Sequence, residues 1–179
     1  MGLQATEEIT FQDNWRTGSL KSVSFEEIIN SFKTLISEPN HLVIVGSDSH
    51  YRKHYTIFAS AITVVNKSNN MHSRYFYNKS IVTTKNRFGD LFYRVYREME
   101  ESLSIANKLK ESIPELNIEI HLDVSSNSKN KTYKFSNGIK EIVASQGYSV
   151  KIKPNAWGAT AVADKHTKNV NTYALRTYT

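Results

Sequence analysis

Residues 41–50 read His-Leu-Val-Ile-Val-Gly-Ser-Asp-Ser-His. The apolar run Leu42 to Val45 is too short for a helix and is closed by Gly46, so it predicts a strand buried on both faces. Asp48 then stands directly beyond that strand. A related pattern recurs at Asn117 to Val124, where Ile118, Ile120 and Leu122 alternate with polar neighbours and Asp123 arrives at the end. Between them, Tyr55 to Val65 and Ser73 to Thr83 are rich in β-branched and aromatic residues. The polar stretch Asn66-Lys-Ser-Asn-Asn70 joins them, which predicts a hairpin.

Ser24-Phe-Glu-Glu27 has the form of a capping box and opens a helix over about 24–38. Ile28, Ile29, Phe32 and Leu35 are its apolar positions, and it ends near Pro39. Phe88, Phe92, Val95, Met99, Leu103, Ala106 and Leu109 recur at three and four, predicting a long amphipathic helix to about Ile113. A further helix with Phe135, Ile139, Ile142 and Val143 inward is ended by Gly147. Val150 to Lys153 is a short strand stopped by Pro154, and the Ala-rich stretch from Gly158 to about Lys168 is helical. The order is one helix and then β-β-β-α-β-α-β-α. It predicts an α/β fold: a mixed five-stranded sheet with helices on both faces and an extra N-terminal helix. One domain over 1–179 is expected, with its core at about 40–168. In such sheets ligands gather at the carboxyl ends of the central strands.

Composition narrows the chemistry. The 179 residues include no cysteine, which excludes a disulfide scaffold, a Cys-ligated zinc site and a thiol nucleophile. No apolar run approaches a membrane span, and Met1 to Thr10 carries acids without an apolar core, so no secretory signal is read there. A soluble, cytoplasmic protein is the expectation. Met1-Gly2 with Thr6 fits a short myristoylation pattern that matches often by chance and is discounted. The net charge of +6 is unevenly spread: Ser125 to Thr179 holds nine Lys/Arg against two acids, Glu141 and Asp164. Such a segment is either a solvated basic face or the footprint of a polyanion.

The acids stand where a cation would be needed. Asp48 and Asp123 at neighbouring strand tips repel each other unless something neutralises them. Asp164 lies in Ala159-Thr-Ala-Val-Ala-Asp-Lys-His166, where small residues let a helix approach the sheet closely; its plainer role is an i,i+4 partner for Lys168. On the long helix Glu101 falls opposite the apolar stripe, in solvent, while Glu98 and Glu100 flank the stripe on either side. Spacing alone does not choose between those two.

With these pieces in place, the chain resembles the ribonuclease H-like superfamily, and within it the YkuK-type bacterial family. The likeness rests on Gly46-Ser-Asp-Ser49, Met99-Glu-Glu-Ser-Leu103, Ile120-His-Leu-Asp123, and Lys151-Ile-Lys-Pro-Asn-Ala156 leading to Ala163-Asp164. His50 departs from it, standing where relatives often carry Gln. The resemblance implies that Asp48, Glu100, Asp123 and Asp164 take the places of metal-binding acids, with Met-Glu-x-Ser-Leu pointing to Glu100. It further implies a nuclease that hydrolyses phosphodiester bonds in RNA, hybrid or DNA with two Mg²⁺ or Mn²⁺ ions. In that arrangement Asp48 bridges both ions, Asp123 and Asp164 complete the water-activating site, and Glu100 the other.

Around this centre, His166 is a candidate proton shuttle, and His50 and His121 are two further histidines near the strand tips. Ser49 and Asn127, with Ser125 and Asn130, could contact phosphate or a 2′-hydroxyl, although turn formation is their commoner use. Lys129, Lys131, Lys134, Lys153 and Lys165 could track a phosphate backbone. The alternative is a nucleic-acid-binding or regulatory module on the same fold with little or no catalysis. An adhesion-type metal module is disfavoured because three strands precede Asp123-Val-Ser-Ser-Asn127. An actin-like ATPase is disfavoured because Ser47-Asp-Ser-His50 lacks an Asp-x-Gly hairpin.

Overall fold

The computed structural model describes residues 14–33, 40–53, 55–68, 71–83, 89–156 and 158–168. The readings that involve Leu35 and Pro39, Asn69 and Asn70, Phe88, and the N- and C-terminal segments lie outside them. Short strands β1 (Trp15–Thr17) and β2 (Ser22–Val23) precede helix α1 (Phe25–Lys33). Three long strands follow, β3 (His41–Tyr51), β4 (Tyr55–Asn66) and β5 (Met71–Thr83), and then helix α2 (Leu91–Ser112). Strand β6 (Ile118–Ser125), a 3₁₀ turn at Tyr133–Phe135, helix α3 (Ser136–Ser145), strand β7 (Ser149–Lys153) and helix α4 (Gly158–Lys168) complete the order.

The sheet runs β2-β1-β5-β4-β3-β6-β7, parallel between β3, β6 and β7 and antiparallel elsewhere. It has seven strands where the sequence predicts five. The two extra strands are three and two residues long, too short to show a period, and are fixed by tertiary packing: Trp15 is buried against Phe25, with ring centroids 5.8 Å apart. The capping box forms as predicted. Ser24 N–H donates to Glu27 Oε2 at 2.7 Å, and Glu27 N–H to Ser24 Oγ at 3.1 Å. Ser24 and Glu27 thereby satisfy amides that the first turn would leave without partners.

Alternation sorts the strands onto two cores. On one face Val43, Val45, Ile62, Val64, Phe76, Ile120 and Leu122 pack under α1, α2 and α3. On the other face Ile44, Ala59, Ala61 and Tyr77 pack against Ala163 of α4. In register, Gly46 pairs with Ala61 and Asp48 with Ala59, so small residues stand beside Asp48 on the face beneath α4. That patch of small residues lets α4 settle close to the strands. At the end of α3, Gly147 adopts φ +86°, the left-handed turn that glycine accommodates without strain. Ile142, expected inward, is 38% exposed, while Ile139 and Val143 are buried.

The sequence reading ends the first strand before Asp48. The strand continues to Tyr51, because β4 pairs with it as far as Tyr51↔Thr56. Its pairing with β6 stops earlier, at Ser47↔Leu122. Asp48 therefore sits inside an antiparallel ladder on one side and at the mouth of the parallel ladder on the other.

Candidate active site

The next positions beyond Ser47↔Leu122 are Asp48 and Asp123, on adjacent parallel strands. Neighbouring strands lie about 4.8 Å apart and cross-strand partners share a face, so both acids project toward α4. Helix α4 adds Thr167, whose hydroxyl donates to Asp48 Oδ2 at 2.9 Å and lies 3.0 Å from the Asp164 carbonyl of its own helix. Asp164 stands one turn earlier on the same edge of the helix. Asp48 is buried, and that burial pushes its carboxyl up to about 6. The charges of Asp123 and Asp164 push it the same way, while the Thr167 hydrogen bond opposes.

Two lysines answer part of this negative charge. Lys153, at the end of β7, pairs with Asp123. Lys168, one turn beyond Asp164, bonds both of its oxygens, at 2.7 and 2.8 Å. The carboxylates of Asp164, Asp48 and Asp123 together hold the Lys168 ammonium above its ordinary value, with Asp164 the strongest influence. The helical pairing of Asp164 with Lys168 and the approach of Asp164 to Asp48 thus coexist. With Asp123 and Asp164 each turned to a lysine, no three His, Asp or Glu side chains among the described residues converge tightly enough to hold an ion as they stand.

On α2 it is Glu98, and not Glu100, that the structure brings to Asp48. Glu98 is buried and accepts a hydrogen bond from Ser49 Oγ at 2.5 Å. Burial first, then the charges of Asp48 and Asp123, hold its carboxyl well above the usual range. Glu100 instead neighbours Tyr96, Arg97 and Glu101. Glu101 is likewise buried rather than in solvent: Ser60 Oγ donates to it at 3.0 Å and Arg97 Nε at 2.9 Å. The reason is a rotated contact face. Phe92, counted in the apolar stripe, is 42% exposed, whereas Ile105, left out of it, is fully buried. Their exchange turns the inward face toward Glu98, Glu101 and Ser102. Serines receive these polar groups: Ser102 Oγ lies 2.8 Å from the Glu98 carbonyl and 3.1 Å from Ser47 Oγ, which lies 2.7 Å from Ser60 Oγ.

His166 does not join the acids. On α4 it points about 160° away from Asp164 and stacks on Tyr77, with centroids 3.5 Å apart and planes 8° from parallel. Burial depresses its pKa, and the charges of Lys165 and Lys79 reinforce this. His50, two residues along β3 from Asp48, has its pKa lowered by burial first and then by the charges of Arg52 and Lys168, with Asp164 opposing them. His121 is fully buried and bonds Glu119 at 2.8 Å, with Lys151 also on Glu119 at 3.0 Å.

Among the other expected contacts, Asn127 is engaged in its own turn: its Oδ1 accepts from Lys129 N–H at 3.0 Å, and its N–H donates to Ser125 Oγ at 3.0 Å. Ser49 is committed to Glu98. Lys129, Lys131 and Lys134 are exposed on the loop after β6, and Lys165 is exposed on α4. Thr167 and Lys168 are the additions sequence reading undervalued. Thr167 carries no signal of its own in an Ala- and Thr-rich helix, and the sequence marks Lys168 only as a helical partner of Asp164.

The chain matches the family described as Ribonuclease H-like over residues 24–168, and it belongs to that family, the YkuK type. Among solved structures, Ciona intestinalis Endonuclease V is similar in two complexes with DNA containing an inosine followed by a ribo-adenosine. With the 23mer, the identity is 12%, the TM-score 0.37, and the match covers 82% of this chain and 68% of that one. With the 24mer, the values are 12%, 0.36, 80% and 67%. No curated protein matches the chain.

Proposed function

We propose that this chain is a divalent-metal-dependent nuclease that hydrolyses phosphodiester bonds in nucleic acid. The observation that carries the reading is the burial of Asp48 beside Asp123 and Asp164 at the carboxyl end of the parallel strands, with its carboxyl held at about 6. Membership of a Ribonuclease H-like family agrees with it. Carboxyls this near one another call for cations, which Lys153 and Lys168 supply to Asp123 and Asp164 and which a divalent ion would supply in their place.

The donor set suits Mg²⁺ or Mn²⁺, since it is all oxygen and the chain has no cysteine. Asp48, Asp123 and Asp164 would hold the metal, with Glu98 in place of Glu100 as the fourth acid. Bound there, two such ions would supply an activated water and stabilise the leaving oxygen. The chain's own contribution is orientation. Thr167 fixes one oxygen of Asp48, and Ser49 fixes Glu98. Lys153 and Lys168 neutralise Asp123 and Asp164 in the free protein, and their ammonium groups stand ready for phosphate oxygens.

The test is to incubate the purified protein with labelled RNA, DNA, hybrid and branched substrates in Mg²⁺, Mn²⁺ or EDTA. Cleavage of at least one substrate with either metal and of none in EDTA is expected. Absence of cleavage throughout, or cleavage undiminished in EDTA, overturns the reading. If divalent metal raises the thermal midpoint without any cleavage, the binding-module alternative replaces it.

A further inference from the structure

A cleft of about 600 Å³ opens between the first turn of α2 and the loop after β6, lined by Phe92, Lys129, Lys131, Tyr133, Lys134 and Phe135 among others. Its size falls within the roughly 300–1,000 Å³ typical of ligand clefts. Its composition is unusual in two respects.

The first is aromatic exposure. Phe92 is 42% exposed, Tyr93 46%, Tyr96 37% and Tyr133 44%. Phe92 connects the rings: it lies 5.7 Å from Tyr93, 5.9 Å from Tyr96 and 5.3 Å from Phe135, centroid to centroid. Phe92 and Tyr133 line the cleft itself, and Tyr93 and Tyr96 adjoin it through Phe92, a patch of accessible rings that a protein surface ordinarily avoids unless it binds something. The second is charge. Residues 126–140 contain four lysines and no acid. Asp90, the one acid among the residues lining the cleft, is occupied in capping α2, accepting from Phe92 N–H at 2.6 Å. Lys134 lies over the Phe135 ring, 4.9 Å from its centroid. Cations interleaved with exposed ring faces are complementary to a polyanion that itself carries flat, unsatisfied faces.

The location ties the cleft to the acids. Ser47 meets Ser102 and Ser49 meets Glu98, so α2 runs antiparallel to β3 and its first turn lies at the carboxyl end of the sheet. Glu98 is six residues beyond Phe92, about 9 Å along the helix axis at about 1.5 Å per residue. Lys129 is six residues beyond Asp123 on the loop that leaves the same strand.

We propose that this cleft is a stacking site for unpaired bases, so that the nucleic acid this protein takes is single-stranded where it approaches the acids. In a duplex both faces of every base are already stacked, and a protein ring reaches only a base that is splayed out. The lysines serve either form of nucleic acid, whereas the rings serve only the unpaired one. The inference deepens the nuclease reading by naming its substrate class, but its test is independent of cleavage.

That test is fluorescence anisotropy in EDTA, with a labelled 20-nucleotide single strand and the same sequence as a duplex. The wild type is expected to bind the single strand about tenfold or more tighter. Tyr133→Ala is expected to weaken single-strand binding by about 5- to 100-fold, as loss of one base–ring stack does, and to leave duplex affinity within about twofold. Tyr133→Phe keeps the ring and is expected to retain single-strand affinity. Phe92→Ala removes the other exposed ring that lines the cleft, should Tyr133→Ala unfold. Equal affinity for the two forms, or equal losses for both in the alanine variants, overturns the proposal and leaves a purely electrostatic face. Preferential binding of single strands by a protein that never cleaves them supports the stacking site and removes the nuclease reading alone.

Discussion

Replacing Asp48 by Asn should make the metal-free protein more stable while removing the chemistry. The Asp48 carboxyl is held at about 6 against an ordinary value of 3.8, a gap equivalent to about 3 kcal/mol between its protonated and ionised forms. Because the folded value is the higher one, the folded state holds this proton more tightly than the unfolded chain. Stability contributed by the protonated group is complete below about pH 4 and is lost as pH rises through about 6. Asn is neutral throughout and keeps an oxygen for the Thr167 hydroxyl. Allowing about 1 kcal/mol for fitting the amide N–H groups, the net gain at pH 7.5 is about 2 kcal/mol. For a chain of this length that is a rise of about 4–8 °C in thermal midpoint. The assay is thermal unfolding in EDTA at pH 4.5 and 7.5 for both proteins. The difference should be small at pH 4.5 and open by pH 7.5. A variant that is less stable than wild type at pH 7.5, or that differs equally at both pH values, refutes the reasoning.

Glu98→Gln should raise the EDTA midpoint at neutral pH and blunt the rise that Mn²⁺ produces, while Glu100→Gln should stay within about 0.5 kcal/mol of wild type and keep that rise; differential scanning fluorimetry with and without Mn²⁺ reads both. Glu101→Ala removes an acceptor of Ser60 and Arg97 beneath α2 and should cost about 1–3 kcal/mol in chemical denaturation. Lys168→Gln removes an ammonium that competes for Asp164, and calorimetric titration should show Mg²⁺ binding tightened by up to about fivefold, no more because that pair is largely solvent-exposed. Neutralising Lys129, Lys131 and Lys134 together should reduce the slope of log affinity against log salt for nucleic acid by about 2–3, as loss of three phosphate contacts requires.

Much of the sheet was legible because burial on both faces leaves an unmistakable mark. Leu42 to Val45 and the alternation of Ile118, Ile120 and Leu122 place two strands, and Asp48 and Asp123 follow from where those marks stop. The small residues of α4 likewise announce a helix that comes close to the sheet, and Ala163 is fully buried there. What stayed hidden depends on contacts between distant elements. The orientation of α2 turns on Ile105 going in and Phe92 staying out, which no count of apolar positions distinguishes, and the choice between Glu98 and Glu100 hangs on that rotation. The stacking of His166 on Tyr77 joins α4 to β5, nearly ninety residues apart in the chain. The β1–β2 ribbon is simply too short to carry a pattern.

The most direct test of the central claim is a crystal of the protein soaked in Mn²⁺ and measured for anomalous scattering. A peak is expected in contact with the carboxylate of Asp48 and shared with Asp123 or Asp164, with Lys153 or Lys168 moved off its partner and Glu98, not Glu100, the acid of α2 nearest the peak. A saturating soak that leaves both lysines on their carboxylates and no peak at Asp48 contradicts it.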